Sequence, residues 1–171
     1  MGYTIAICDD DKTMADKLTA SLKNEFMKAG RNDVIIDYYD TGVQLLEALK
    51  NKMYKAVLLD INMEPMDGFA VAEAIGKSGY RTKIIFVTSH EDVVYDTFDY
   101  TPFYFIRKSR YETYVQRVVK KLIAIDGYEK TIVLDDKDGI ININSGDITY
   151  VHSEDHYLTV HTADGNSYVI R

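Results

Sequence analysis

The sequence is short of the residues that make covalent cross-links and fibres. It has one cysteine, Cys8, in 171 residues, so no disulfide can close within the chain and no Cys/His zinc cluster is supported. Two prolines and ten glycines are too few for a collagen-like or linker composition. No apolar run approaches the roughly 18 residues of a membrane span. The opening Met1-Gly2-Tyr3-Thr4 lacks a charged segment leading into an apolar one. There is no internal repeat and no low-complexity tract. A basic excess is missing too, with 20 Lys+Arg against 27 Asp+Glu and a net charge of -7. A nucleic-acid-binding module normally shows a basic stripe. The expectation is a cytoplasmic protein with no membrane contact.

What the sequence does have is a core. Hydrophobic residues make up 46% of it, which argues against intrinsic disorder. Residues 1–127 hold 17 Lys+Arg and 19 Asp+Glu, a net of -2, whereas residues 128–171 hold 3 and 8, a net of -5.

The first part alternates strand-like and helix-like stretches. Tyr3–Cys8 is apolar, as in a strand buried on both faces, and runs into Asp9-Asp10-Asp11. Met14, Leu18, Leu22 and Phe26 lie four apart on one helical face that closes near Gly30. Val34–Tyr39 reads as a second strand, and Thr41-Gly-Val-Gln44 has capping-box spacing for a helix through Leu46, Leu49 and Met53. Ala56–Asp60 is a third strand, Phe69–Lys77 a helix and Lys83–Thr88 a fourth strand. A weaker helix over Glu91–Tyr100 stops at Pro102. Phe103–Arg107 is a fifth strand, and Ser109-Arg-Tyr-Glu112 is a capping box for a helix carrying Tyr111, Val115, Val118, Leu122 and Ile125. Five strands joined by helices imply right-handed crossovers, hence a doubly wound α/β domain with a five-stranded parallel sheet. After Asp126-Gly127 come five short strand-like runs, Thr131–Leu134, Ile140–Asn144, Ile148–His152, Tyr157–His161 and Ser167–Ile170. Turn-forming Asp, Gly, Asn and Ser separate them. The expected division is an α/β domain over 1–126 and a short all-β segment over 127–171.

Sites in open parallel sheets form outside the carboxyl ends of the strands. Asp9 and Asp10, Asp60, Thr88 and Lys108 all fall there. Three carboxylates at one sheet edge repel one another unless a cation sits among them, and Mg²⁺ suits such a site. A carboxylate beside a metal and a lysine is a nucleophile toward phosphorus, with the threonine hydroxyl placed to bond a phosphoryl oxygen. Any one of these aspartates alone reads as a helix N-cap, the expected role of Asp11. All five residues at matching strand ends do not.

Ile5-Ala-Ile-Cys-Asp-Asp-Asp11, Leu58-Leu-Asp-Ile-Asn-Met-Glu-Pro-Met-Asp-Gly68, Phe86-Val-Thr-Ser89 and Phe105-Ile-Arg-Lys108 resemble the flavodoxin-like receiver domain of two-component response regulators over residues 3–125. The resemblance implies that Asp60 accepts a phosphoryl group from a sensor histidine kinase, with no enzymatic turnover beyond slow self-dephosphorylation. Asp10, Asp60 and the backbone carbonyl of Asn62 would bind Mg²⁺, with Asp9 acting through water. Lys108 would pair with the phosphoryl group, Thr88 would bond it and move inward, and Phe105 would rotate into the space left behind. Asn62 and His90 would tune dephosphorylation. Three departures stand out. Ser109 replaces the proline that follows the lysine in a cis peptide, so a trans bond or visible strain is expected. Pro65 falls one place late in the turn after Asp60. His90 stands two beyond Thr88.

Tyr95, Phe98, Tyr100, Phe103, Tyr104, Tyr111 and Tyr114 crowd the switch region. Those not in the core form an aromatic patch suited to a partner or to a phosphorylation-dependent homodimer, or are scattered surface tyrosines. The tail, through Ile148–His152 and Asp155–Gly165, resembles the opening strands of a LytTR-type DNA-binding domain. It would reach promoter DNA only in complete form, so tight DNA binding by these 171 residues is not expected. His156, in a loop entering a strand, is the candidate for a base contact. His152 and His161 are placed to pair across the sheet, and no zinc site is expected there. Two rival readings are an Mg²⁺-dependent aspartyl-phosphate phosphatase, which the amide at Asn62 disfavours, and a receiver acting purely through protein–protein contacts.

Overall fold

The computed structural model describes residues 3–89, 100–126, 131–136 and 139–170. The chain folds as two compact units, residues 1–120 and 121–171. In the first, β1 (Thr4–Cys8), α1 (Lys12–Lys28), β2 (Ile35–Tyr39), α2 (Gly42–Leu49), β3 (Ala56–Asp60), α3 (Gly68–Lys77), β4 (Lys83–Thr88) and β5 (Tyr104–Arg107) follow in order. All strand pairings are parallel, in the order β2-β1-β3-β4-β5. This is the doubly wound sheet that the sequence predicts. The expected helix over Glu91–Tyr100 lies almost wholly outside the described residues.

The apolar strands are buried as their composition demands. Ile5 to Cys8 and Ala56 to Leu59 have no exposed surface, as befits strands covered on both faces. On α1, Met14, Leu18, Leu22 and Phe26 form the buried stripe. Local caps start the helices. Asp11 accepts from the backbone N–H of Thr13 and Met14 at 2.9 and 3.2 Å, Thr41 from Gln44 at 3.3 Å and Asp67 from Ala70 at 2.8 Å. Each satisfies amides that the first turn leaves without partners.

Two local expectations need correction. Helix α2 stops at Leu49 rather than running to Met53, which is 82% exposed. Asn51 N–H bonds to Ala48 C=O at 3.1 Å, a three-residue closure that tightens and ends the helix. Ser109 does not cap a helix. It lies inside a short 3-10 turn, Lys108–Arg110, that runs directly into α4 (Tyr111–Asp126). Among the described residues the cis peptide is Glu64–Pro65, so Lys108–Ser109 is trans.

The second unit contains β6 (Thr131–Asp136), β7 (Gly139–Asn144), β8 (Ile148–Glu154), β9 (Tyr157–Thr162) and β10 (Ser167–Ile170). They form an antiparallel sheet in the order β7-β6-β10-β9-β8. The β9–β10 turn is held by Asp164, which accepts from Thr162 Oγ1 at 2.6 Å and Asn166 Nδ2 at 2.7 Å. His152 and His161 do not pair. The antiparallel register sets His152 opposite Thr159 and His161 opposite Tyr150. The His161 ring stacks on Tyr150 at 4.1 Å, and its Nδ1 lies 2.8 Å from Ser167 Oγ.

Candidate functional site: an acidic cluster with one lysine

Strand register assembles the site. Cys8 is level with Leu59, so Asp9 and Asp60 emerge side by side at the ends of β1 and β3. Asp60 is level with Val87, and Thr88 with Arg107. Four adjacent strands thus deliver Asp9, Asp60, Thr88 and Lys108 to one sheet edge. Asp9, Asp60 and Thr88 are buried, with 1%, 4% and 1% exposure. Asp10, next along, is exposed.

The Lys108 ammonium bridges the two buried acids. Its Nζ lies 3.1 Å from Asp9 Oδ1 and 3.1 Å from Asp60 Oδ2. Asp9 Oδ1 also accepts the Asp11 N–H at 2.9 Å. Asp9 Oδ2 is 2.9 Å from the same ammonium but has no hydrogen bond of its own among the described residues. It is a buried acceptor with open capacity, which native interiors rarely leave unused.

The electrostatics follow from this crowding. Burial pushes the Asp60 carboxyl up to about 6, helped by the Asp9 charge and opposed by Lys108. Burial also raises Asp9, against the hydrogen bonds from Lys108 and Asp11. Burial works against the Lys108 ammonium, but its bond to Asp9 and the charge of Asp60 outweigh that and hold it above the ordinary lysine range. Asp9, Asp10 and Asp60 each present an oxygen, all within 4.8 Å of one another. Hard oxygen donors in that number suit Mg²⁺, and the open Asp9 Oδ2 makes the residues present a fit for such a cation.

Asn62 is exposed in the loop after β3. That loop is closed by Gly68 N–H on Ile61 C=O at 2.9 Å. Phe105 is level with Phe86 on β4 and packs, partly buried, against the core. His90, Tyr95 and Phe98 lie outside the described residues. Tyr100 stacks on Phe69 at 5.2 Å, and Tyr104 meets Tyr114 edge-on. Tyr100, of the switch-region aromatics, therefore packs against the core, as Phe105 does. His156 is exposed in the turn between β8 and β9.

Sequence reading missed Tyr38. Its hydroxyl donates to the Asp9 carbonyl at 3.0 Å. It was visible only as one tyrosine of a strand, because the pairing of β1 with β2 decides which side chain meets the turn.

A parallel sheet in this order, with two buried acids and a lysine at its carboxyl edge, defines a flavodoxin-like domain of the receiver class. Residues 5–120 match the response regulator receiver domain, and the chain belongs to that family. It is similar to the transcriptional regulatory protein YpdB of Escherichia coli strain K12, 28% identical over 90 residues that cover 53% of this chain and 37% of YpdB. It is also similar to the sensory transduction protein LytT of Bacillus subtilis, 23% identical over 97% of this chain and 71% of LytT. The match to YpdB thus spans little more than a third of that regulator. Among solved structures, the response regulatory domain of MrkE from Klebsiella pneumoniae superposes with a TM-score of 0.64, at 22% identity, over 71% of this chain and 96% of that one. The response regulator TrrA of Thermotoga maritima, in complex with Mg²⁺-BeF, gives 0.57 at 28% identity, over 70% and 98%. Among the described residues no helix is long and apolar enough to cross a membrane.

Proposed function

We propose that Asp60 is the phosphoacceptor of a two-component response regulator and that the β segment is part of a LytTR-type DNA-binding domain through which transcription is controlled. The observation that carries the first half is the Lys108 ammonium held between buried Asp9 and Asp60, with Asp10 alongside. The second half is supported by the antiparallel sheet over residues 131–170 and by the similarity to LytT over 97% of the chain.

Asp9, Asp10 and Asp60 would hold Mg²⁺, with the Asn62 carbonyl a further oxygen on the loop. The bound cation would supply positive charge to the phosphoryl oxygens. Asp60 attacks the phosphorus of a phosphohistidine on a sensor kinase. The new O–P bond forms as the P–N bond breaks, and the imidazole leaves with the electron pair. Burial raises the Asp60 carboxyl, and the Lys108 ammonium with the bound cation would favour its ionised, nucleophilic form. Lys108 offers its ammonium to the phosphoryl oxygens, which loosens its hold on Asp9. The Thr88 hydroxyl, at the end of the next strand, donates to another oxygen and draws the β4 end inward. Phe105, one strand over, follows, and a two-state equilibrium shifts. Dimer formation and paired promoter contacts, with His156 on an exposed turn, are the proposed readout.

Asn62 bears an amide and cannot protonate a leaving group, so the chain is a phosphoacceptor rather than an enzyme. Incubation with a small phosphodonor and Mg²⁺ tests the reading. Wild type acquires about one base- and hydroxylamine-labile phosphoryl group per chain, and Asp60→Asn acquires none. Labelling of Asp60→Asn, or many turnovers of a generic phosphate ester by wild type, would refute it.

A further inference from the structure

The Asp10 carboxylate has no hydrogen-bond partner among the described residues, yet it lies within 4.8 Å of Asp9 and Asp60 oxygens. The backbone of the Asp9–Asp10 turn therefore sets the point and direction from which the side chain leaves. That turn is held on both sides of the Asp9 Cα by one neighbouring strand. Asp9 N–H donates to Tyr39 C=O at 3.1 Å. The Tyr38 hydroxyl donates to Asp9 C=O, the carbonyl of the Asp9–Asp10 peptide, at 3.0 Å. A planar peptide fixed at its oxygen also fixes the direction in which the next Cα leaves.

We propose that Tyr38 is a positioning residue for the acidic cluster, its hydroxyl setting the Asp9–Asp10 peptide so that the Asp10 carboxylate turns toward Asp9 and Asp60. This rests on the reading of the cluster as a cation site. The Tyr38 ring is secured separately, with the Lys12 ammonium 4.8 Å above it and Lys12 itself paired to Asp16. The hydroxyl is therefore delivered to the carbonyl by a ring with a support of its own. Adjacent residues of a strand face opposite ways, and Tyr39 illustrates it. Its hydroxyl lies 2.6 Å from Tyr54 Oη, away from the acids.

The neighbouring tyrosine supplies a matched control. Tyr38→Phe and Tyr39→Phe each remove one hydroxyl from the same strand, but only the first touches the turn. The full chain of each variant, of Asp10→Asn and of wild type is titrated with MgCl₂ by calorimetry at fixed pH and ionic strength. Circular dichroism in EDTA checks the metal-free fold. Loss of one hydrogen bond that orients a ligand should weaken Mg²⁺ binding about three- to tenfold in Tyr38→Phe, with Tyr39→Phe unchanged and Asp10→Asn weaker still. Equal affinity in Tyr38→Phe and wild type overturns the positioning role while leaving the cation site intact. Equal weakening in both Phe variants overturns it as well, because the effect then comes from strand stability. If wild type takes up no Mg²⁺, or Asp10→Asn binds as well as wild type, the cation reading itself fails and takes the role of Tyr38 with it.

Discussion

Gly68 is the position where packing and chemistry meet most directly. It is the first residue of α3, and its backbone presses on the end of β3. A Cβ added there would lie 2.2 Å from the Asp60 carbonyl oxygen, 2.9 Å from the Ile61 Cα and 3.0 Å from the Asp60 carbonyl carbon. Favourable contacts between heavy atoms sit near ~3.5–4.0 Å, so Gly68→Ala forces a retreat of roughly 1 Å. All three obstructing atoms are backbone, and no side-chain rotation relieves them. Either α3 backs away and loses the Gly68–Ile61 hydrogen bond, or the backbone of Asp60 moves. Overpacking costs about 1–3 kcal/mol and the lost bond about 1 kcal/mol, partly offset by the better helix propensity of alanine. A net loss of about 2 kcal/mol follows, read as faster hydrogen exchange of the β1 and β3 amides. The functional loss should be larger, because a misplacement of about 1 Å at a reacting group can cost on the order of 100-fold in rate. Phosphorylation of Gly68→Ala by a small phosphodonor is expected to slow at least tenfold. Gly30→Ala is the control. It is strained by a φ of +76°, but nothing lies within 4 Å of its Cβ. It should lose about 1–2 kcal/mol with its phosphorylation rate unchanged. A Gly68→Ala rate within twofold of wild type, or equal slowing in both variants, would refute the reasoning.

Two further outcomes are expected. The buried Tyr54 hydroxyl donates to Asp37 Oδ2 at 2.6 Å and lies 2.6 Å from Tyr39 Oη, so Tyr54→Phe should cost about 1–3 kcal/mol in urea unfolding. Burial alone would raise the Asp37 carboxyl, but hydrogen bonds from Lys52 and Tyr54 hold it below its ordinary 3.8. A depressed folded-state value means stabilisation that is fully present above that range and lost as the pH falls through it. The gap between wild type and Tyr54→Phe should therefore stay constant from pH 8 to 5 and narrow below pH 4. A gap independent of pH down to 3 would remove Asp37 from the account. Cys8 has no exposed surface, and burial, helped by the charges of Asp9 and Asp60, pushes its thiol up to about 12. At pH 7.5 it should react with thiol reagents only through opening of β1, on the timescale of amide exchange there. Labelling complete within mixing time would contradict its burial.

What the sequence made legible was what local chemistry controls. Apolar runs of five or six residues ending in aspartate or threonine gave the parallel strands and the edge where the site forms. Asp11 and Thr41 marked helix starts because a short polar side chain satisfies amides two or three residues ahead; the Asp67 cap was hidden in a turn motif. The misreadings involve contacts set by other elements. His152 and His161 lie in strand positions that could face each other, but the register places Thr159 and Tyr150 opposite them. Met53 continued a helical spacing, but the chain had to leave α2 to enter β3. Which of the switch-region aromatics enter the core is likewise set from elsewhere, as Phe69 and Phe86 against Tyr100 show. None of these partners is near in sequence.

The acidic cluster stood out for the opposite reason, because its composition makes poor sense as scaffolding. Asp9 and Asp60 are buried, and among the described residues the ammonium paired with them is that of Lys108. Two buried carboxylates sharing one cation, with a third acid beside them, keep a net negative charge where the dielectric response is weakest. Apolar side chains of similar volume would satisfy such an edge at lower free energy. The raised Asp60 carboxyl is the measure of that mismatch. Such an arrangement suits the proposed cation site, where the missing positive charge would come from bound Mg²⁺. Removing the mismatch should therefore stabilise the fold and silence the site together. That is why one substitution at Asp60 tests the electrostatics and the chemistry at once.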